Sequence, residues 1–334
     1  MKYDLKRNRP YEFSLAVELD GKDLGYYLEE AKKQLANNLK IKGFRQGKAP
    51  FEVAKDNLDK KLVLSTAFDI AFKQSFADVL EKEKLEIIDV GKFEVKENSL
   101  NLMAYSVLLT VYPDLKLADY ENIKIKRDGV SVSKEEVDKA IEFMRSSRKQ
   151  DGVVPELNDE FAKGLGQFEN LEGLRKSVEE GIKEEKEVKE SQRIQSSVLE
   201  KIAEGTKVEI PPVLIGRQTD QMMLDLDADL TRQGMEFGLF LAKIKKTKDE
   251  LINEWKPKAE MLVKKALIMK EIAKREGIKI EPAEVEERMG LFLRNFGGIE
   301  EVRKNIDLLK LADQIRQILL NQKVLAFLEK EAVN

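Results

Sequence analysis

The 334-residue sequence contains neither cysteine nor histidine. Without cysteine there are no disulfides, thiolate nucleophiles or thiolate metal sites. Without histidine there is no imidazole base and no imidazole ligand. Most hydrolytic triads and zinc sites are thereby excluded, which leaves carboxylates and lysines for any catalysis. No uninterrupted apolar run approaches the roughly 20 residues that span a bilayer. The opening Met1-Lys2-Tyr3-Asp4-Leu5-Lys6 is too charged to begin a signal peptide, so a cytoplasmic chain without membrane contact is expected. No Gly-x-x-x-x-Gly-Lys-Ser/Thr phosphate loop and no dinucleotide fingerprint occurs. Neither a cofactor nor a metal is expected.

What the sequence has in abundance is charge. Charged residues make up 36% of the chain, yet the formal net charge is only -3, so any anion binding must be local. One stretch concentrates it: Lys40, Lys42, Arg45 and Lys48 surround Phe44 with no acid between Lys40 and Pro50. Gly43 and Gly47 allow backbone angles closed to other residues, and Pro50 suits the first position of a following helix. A loop tip with one aromatic and several cations faces outward, toward an anionic partner. The 62 acidic residues, by contrast, read as solvated helix surface; Glu184, Glu185, Glu187 and Glu190 are the densest case.

Periodicity gives the architecture. Tyr11, Phe13, Leu15, Val17 and Leu19 alternate as one strand with a buried face. Leu24 to Ile41 has helical spacing, a short helix starts at Phe51, and a longer one spans about Leu62 to Lys84. Lys92 to Lys96 and Leu100 to Val111 read as strands joined at Glu97-Asn98-Ser99. Strand, helices and hairpin make an α+β domain over 1–112. Residues 113–154 read as an extended linker to Asp128, then a helix opened by the Ser133-Lys134-Glu135-Glu136 capping box.

From 155 to 334 the chain reads as nearly all helix. Asn170 caps a helix of about 33 residues, roughly 50 Å long, part of which should protrude. Glu179 with Lys183, and Glu185 with Lys189, are favourable i,i+4 pairs along it. Further helices begin at Pro211-Pro212, at the Thr247-Lys248-Asp249-Glu250 capping box, at Glu281-Pro282 and at Asn305 or Asp307. The fold class is thus an α+β N-terminal domain followed by a mostly α-helical, elongated C-terminal domain with protruding helical arms.

The loop Gly43-Phe44-Arg45-Gln46-Gly47-Lys48-Ala49-Pro50 resembles the Gly-Phe-Arg-x-Gly-Lys-x-Pro signature of the trigger factor family, bacterial ribosome-associated chaperones. Residues 1–112 follow the order of that family's ribosome-binding domain. From about Pro155 onward the chain is similar to its C-terminal domain, notably at Val208-Glu209-Ile210-Pro211, Gln233-Gly234-Met235 and the Gly277-Ile278 to Pro282 turn. The chain departs from the family at about 150–154, where most members carry a peptidyl-prolyl isomerase domain of the FKBP type. No isomerase activity, and hence no enzyme, is expected.

The resemblance implies an ATP-independent holdase that docks at the exit tunnel of the large ribosomal subunit, against a ribosomal protein and rRNA. There it shields nascent or unfolded polypeptides and assists folding, and off the ribosome it self-associates as a dimer. Implied ribosome-binding residues are Lys42, Gly43, Phe44, Arg45, Gln46, Gly47 and Lys48. Among the methionines and aromatics of the helical domain, Met222, Met235 and Phe240 are candidate client contacts, because thioethers and rings adapt to varied apolar partners. Rival readings are a SurA-like holdase that does not bind ribosomes, an RNA- or RNP-binding adaptor using the basic loop, and a carboxylate-based enzyme.

Overall fold

A computed structural model describes residues 1–46, 49–149, 153–295 and 307–333. Its contacts divide the chain into two units, 1–114 with 208–263 and 115–207 with 264–334.

The first unit is built on the alternation of two strands. In β2 (Glu12–Asp20), Leu15, Val17 and Leu19 point to one face and are buried, as a period of two requires. The antiparallel β4 (Leu102–Val111) sets Val107, Tyr105 and Met103 opposite them. The full antiparallel order is β1-β2-β4-β3, with β3 (Ile87–Asn98) outermost beside β4. Three register shifts interrupt β3, which twists that edge and discourages further pairing. Pairing between β3 and β4 continues to Asn98 and Met103, so the turn falls at Ser99 to Asn101, later than the spacing suggested. There the Leu102 amide donates to the Ser99 hydroxyl at 3.1 Å.

The strand β1 (Lys2–Arg9) was not foreseen from the alternation. Only Tyr3 and Leu5 pack toward the core. An edge strand needs one hydrogen-bonded neighbour, and its Lys2, Lys6, Arg7 and Arg9 keep the free edge soluble. Helix α1 (Gly21–Asn38) begins earlier than its first leucine because the Asp20 carboxylate caps it, accepting from the Lys22 amide at 3.1 Å. The short α2 (Phe51–Lys55) follows, with Pro50 flanking it and Phe51 as its first residue. Helix α3 (Lys60–Glu83) is capped by Asp59 and ends at Lys84 in the left-handed region, at φ 52°.

Helices α1 and α3 cover one face of the sheet, enclosing Leu15, Val17, Leu19, Leu24, Ala67, Ala71, Val79 and Leu109. Each fully buried leucine or valine contributes on the order of 1.5–3 kcal/mol. Phe72 stands edge-on to both Tyr105 and Phe93, with ring centroids 5.0 Å away in each case. The Tyr105 hydroxyl, deep in this layer, is satisfied by Ser75 Oγ at 2.9 Å.

The same unit holds α7 (Pro212–Arg232), α8 (Phe237–Ile244) and the first part of α9 (Lys248–Arg275). Arg217 of α7 donates to the Ile88 carbonyl at 3.1 Å and to Asp89 at 3.0 Å, tying the helix to β3. Helix α8 was not anticipated between Gly234 and Thr247. Its run Phe237-Gly238-Leu239-Phe240-Leu241-Ala242 has no polar face to give a periodic signal. The Thr247 capping box is present as expected: Thr247 N donates to Glu250 at 2.8 Å and Glu250 N to Thr247 Oγ1 at 3.2 Å.

In the second unit, α4 (Lys134–Ser147) opens with the expected reciprocal Ser133–Glu136 box. Helix α5 (Asp159–Leu165) is a short addition, started where Asn158 Oδ1 accepts from the Phe161 amide at 3.0 Å. Helix α6 (Leu171–Gly205) runs 35 residues from its Asn170 cap. Its first turns pack Leu174 against Val137, Ile141, Phe161 and Ala162 of α4 and α5. Its last turns bury Ile194, Val198 and Ile202 against Ile268 and Ile272 of α9 and against Val324 and Leu328 of α11 (Leu308–Val333). Val285 of α10 (Pro282–Asn295) packs against Leu311 and Ile315 of α11. Asp307 caps α11, accepting from Leu309 N at 3.0 Å; Asn305 lies outside the described residues.

At the junction where the family carries an extra domain, Arg148 donates to the Gly164 carbonyl at 2.7 Å. This bridges the end of α4 to α5 directly. Gln150, Asp151 and Gly152 fall outside the described residues.

Candidate functional site

The cationic loop hangs between α1 and α2. Helix α1 ends without a left-handed cap: Leu39 is extended, and its amide donates to the Ala36 carbonyl at 3.3 Å. The last turn of α1 contains no basic residue, so its terminal carbonyls look for donors elsewhere. The chain then reverses through a turn in which the Phe44 amide donates to Ile41 O at 3.1 Å. Gly43 takes φ +92° in that turn, a conformation that suits glycine. Gln46 closes the structure, its Nε2 donating to the Asn38 carbonyl at 3.1 Å.

This backbone presents Phe44 with 44% of its surface exposed. It is not folded back into the domain. Lys40, Lys42 and Arg45 are exposed beside it. Among the described residues none of these three cations has an ion pair or a side-chain hydrogen bond. The cations of the flanking helices nearest the loop behave differently: Lys32 pairs with Glu29 at 2.6 Å, Lys33 with Glu30 at 2.7 Å, and Lys55 with Glu52. Gly47 and Lys48 lie outside the described residues. Of the sequence-derived candidates, then, Lys42, Gly43, Phe44, Arg45 and Gln46 come together in one turn. An unpaired guanidinium offers a fork of donors to carboxylate or phosphate, and the ring beside it offers apolar contact area.

The candidates in the helical part are more covered. Met222, Met235 and Phe240 are all half-buried. The well-exposed apolar residues of α7 and α8 are Leu224, at 64%, and Leu239, at 63%, neither singled out by composition. The uninterrupted apolar run of α8 was the available signal for Leu239. Met223, Leu224 and Phe237 line a cleft of about 350 Å³ whose rim carries Asp220, Asp227 and Lys248. In the second unit the exposed apolar residues include Phe143 on α4, Val188 on α6, Leu291 on α10, and Leu309 and Ile318 on α11. Among the described residues no cluster of acidic side chains is suited to hold a metal ion, and no helix is long and apolar enough to cross a membrane.

Comparison with known proteins gives a consistent result. Residues 1–144 match the family model described as bacterial trigger factor protein, and residues 170–330 match that of the bacterial trigger factor protein C-terminus. The trigger factor of Clostridium botulinum strain Eklund 17B is 21% identical over 388 residues, covering 88% of this chain and 91% of that protein. That of Geobacillus sp. strain WCH70 is 22% identical, covering 94% and 95%. An alignment of 388 positions that takes in 88% of a 334-residue chain leaves roughly a quarter of its positions as gaps on this side. A solved trigger factor structure, from work on promiscuous substrate recognition in folding and assembly by that chaperone, superposes with a TM-score of 0.57 at 18% identity. The superposition covers 99% of this chain and all of the other. With two family models matching in order along most of its length, the chain belongs to the trigger factor family.

Proposed function

We propose that this chain is an ATP-independent chaperone that docks beside the exit tunnel of the large ribosomal subunit and shields emerging polypeptides. The observation that supports docking is the turn from Lys40 to Gln46. Three exposed cations there have no partner among the described residues, and they flank a half-exposed phenylalanine. On α1 and α2 the cations nearest the loop, Lys32, Lys33 and Lys55, are paired, which leaves the loop charge for another molecule. Arg45 and the lysines meet phosphate or carboxylate, and Phe44 adds apolar area of the kind that anchors an interface.

Residues 1–112 form the docking domain, 113–154 the linker, and 155–334 the client-holding part. Clients meet scattered apolar side chains: Met222, Met235 and Phe240 at the half-buried level, Leu224 and Leu239 above them. Dispersed small patches hold unfolded segments weakly without creating one large patch that aggregates. Only eleven residues separate Ser147 at the end of α4 from Asp159 at the start of α5, too few for an isomerase domain, which supports a protein that acts without that activity. It works in the cytoplasm and self-associates when no ribosome is bound.

Co-sedimentation with empty 70S ribosomes tests this reading. Wild type and Phe44→Ala/Arg45→Ala are compared at two salt concentrations. Salt-sensitive binding that the double variant loses is the expected result. Equal sedimentation of both proteins would reduce the loop to a turn, and loop-dependent binding to naked RNA with no protection of unfolded protein would favour an RNA-binding adaptor.

A further inference from the structure

We infer that Gln46 is a positioning residue for the docking loop, acting as a clamp between the loop and the end of α1. The inference rests on the docking reading above and adds to it a role that no charge or signature match assigns. The chain leaves α1 at Asn38 and returns to it eight residues later, when Gln46 Nε2 donates to the Asn38 carbonyl. That carbonyl belongs to a helix end with no left-handed cap and no basic side chain in its last turn. The Gln46 amide therefore serves two structures at once. It satisfies an orphan acceptor of the helix, and it fixes the span of the loop that carries Phe44 and Arg45.

Inside that span the only other described tie is the Phe44 amide to Ile41 O. Two hydrogen bonds in series thus hold the aromatic and the guanidinium in one presentation. Fixing a loop before binding removes ordering entropy from the binding step. Gln46 contributes no charge, so its effect should be the same at every ionic strength. Arg45 and Lys42, in contrast, act through phosphate or carboxylate and should lose effect as salt rises.

The test uses Gln46→Met in the full chain, which keeps side-chain length and charge and removes the donor. Affinity for empty 70S ribosomes is titrated at several salt concentrations beside wild type and Phe44→Ala/Arg45→Ala. Amide exchange at Phe44 is measured in the free protein. The expected result is binding about three- to tenfold weaker, the scale of one lost hydrogen bond. The salt slope should be unchanged, and Phe44 exchange faster without ribosomes. Unaltered affinity in Gln46→Met, while the double variant loses binding, overturns the clamp and leaves docking intact. A changed salt slope overturns it as well, since Gln46 would then act through charge. If the double variant also binds like wild type, the docking reading falls and the clamp falls with it.

Discussion

Two cation-rich stretches of this protein have opposite fates. From Lys40 to Arg45 the charges have no partner among the described residues, whereas in the middle of α6 Lys186, Lys189 and Arg193 are bound to the protein itself. Lys186 bridges Glu136 and the Ser131 carbonyl, Lys189 pairs with Glu185, and Arg193 holds Glu190 at 2.7 Å while reaching the Lys126 carbonyl at 2.9 Å. Sequence density of charge is similar in both. What differs is the supply of carboxylates: none lies between Lys40 and Pro50, while α6 and its neighbours carry one for nearly every cation. Cations with internal partners hold the linker against the helix, and cations without them remain available to an external anion.

The strongest way to break this comparison is to damage the α6 side alone. Ile202 is fully buried among Val198, Ile268 and Val324. Ile202→Ala should cost about 2–5 kcal/mol of stability in that unit, from lost transfer energy plus the cavity left behind. Chemical denaturation measures the loss, and ribosome affinity of the remaining folded protein should match wild type. If affinity collapses in step with stability, the two stretches are not independent.

Next in size is the polar knot where Glu329 of α11 accepts from Arg127, Ser191 and Gln195. The Glu329 side chain is only 13% exposed, so its loss strands donors that water reaches poorly. Glu329→Ala should destabilise by about 1–3 kcal/mol, visible as a lowered denaturation midpoint with no change in ribosome binding. A midpoint equal to wild type would mean that solvent already satisfies these groups.

A sharper contrast comes from salt. Removing one loop cation, as in Arg45→Gln, should flatten the dependence of log affinity on log salt by about 0.7–0.9, the release of one counterion. Lys189→Gln on α6 should leave that slope alone, because its charge is already spent on Glu185. A flattened slope in the Lys189 variant would show that α6 also faces the ribosome.

The smallest effect expected is the pH dependence that Glu190 of α6 contributes. The Arg193 guanidinium and the Asp128 amide hold Glu190 down to about 2, below the ordinary carboxylate range. A carboxylate depressed on folding stabilises fully above its unfolded value and loses that contribution as pH falls through the folded one. The melting-temperature difference between wild type and Glu190→Gln should therefore be constant above about pH 5 and shrink toward pH 2. Arg45→Gln should show no such window. A difference that stays constant to pH 2 would exclude this linkage.

Much of the fold was legible residue by residue. Leu15, Val17 and Leu19 alternate because one sheet face is buried, and Ser133, Asn170 and Thr247 sit where helix amides need acceptors. Three elements escaped. β1 is mostly charged and becomes a strand only because β2 supplies a ladder. α5 is too short to show a period, and α8 is too uniformly apolar to show one. The loop at Gly43 to Gln46 was legible as a cationic turn with an aromatic. Its hydrogen bond from Gln46 to Asn38 was not, since that contact depends on where the chain returns.

The sequence by itself determined the absence of thiol and imidazole chemistry, the place of the acid-free cationic loop, the helix caps and the core alternation. All of these are local properties of residue type and spacing. Tertiary structure alone decided which charges are consumed internally and which apolar side chains stay uncovered. Leu224 and Leu239 resemble any other apolar residue until the packing around them is known, because exposure is set by neighbours distant in the chain.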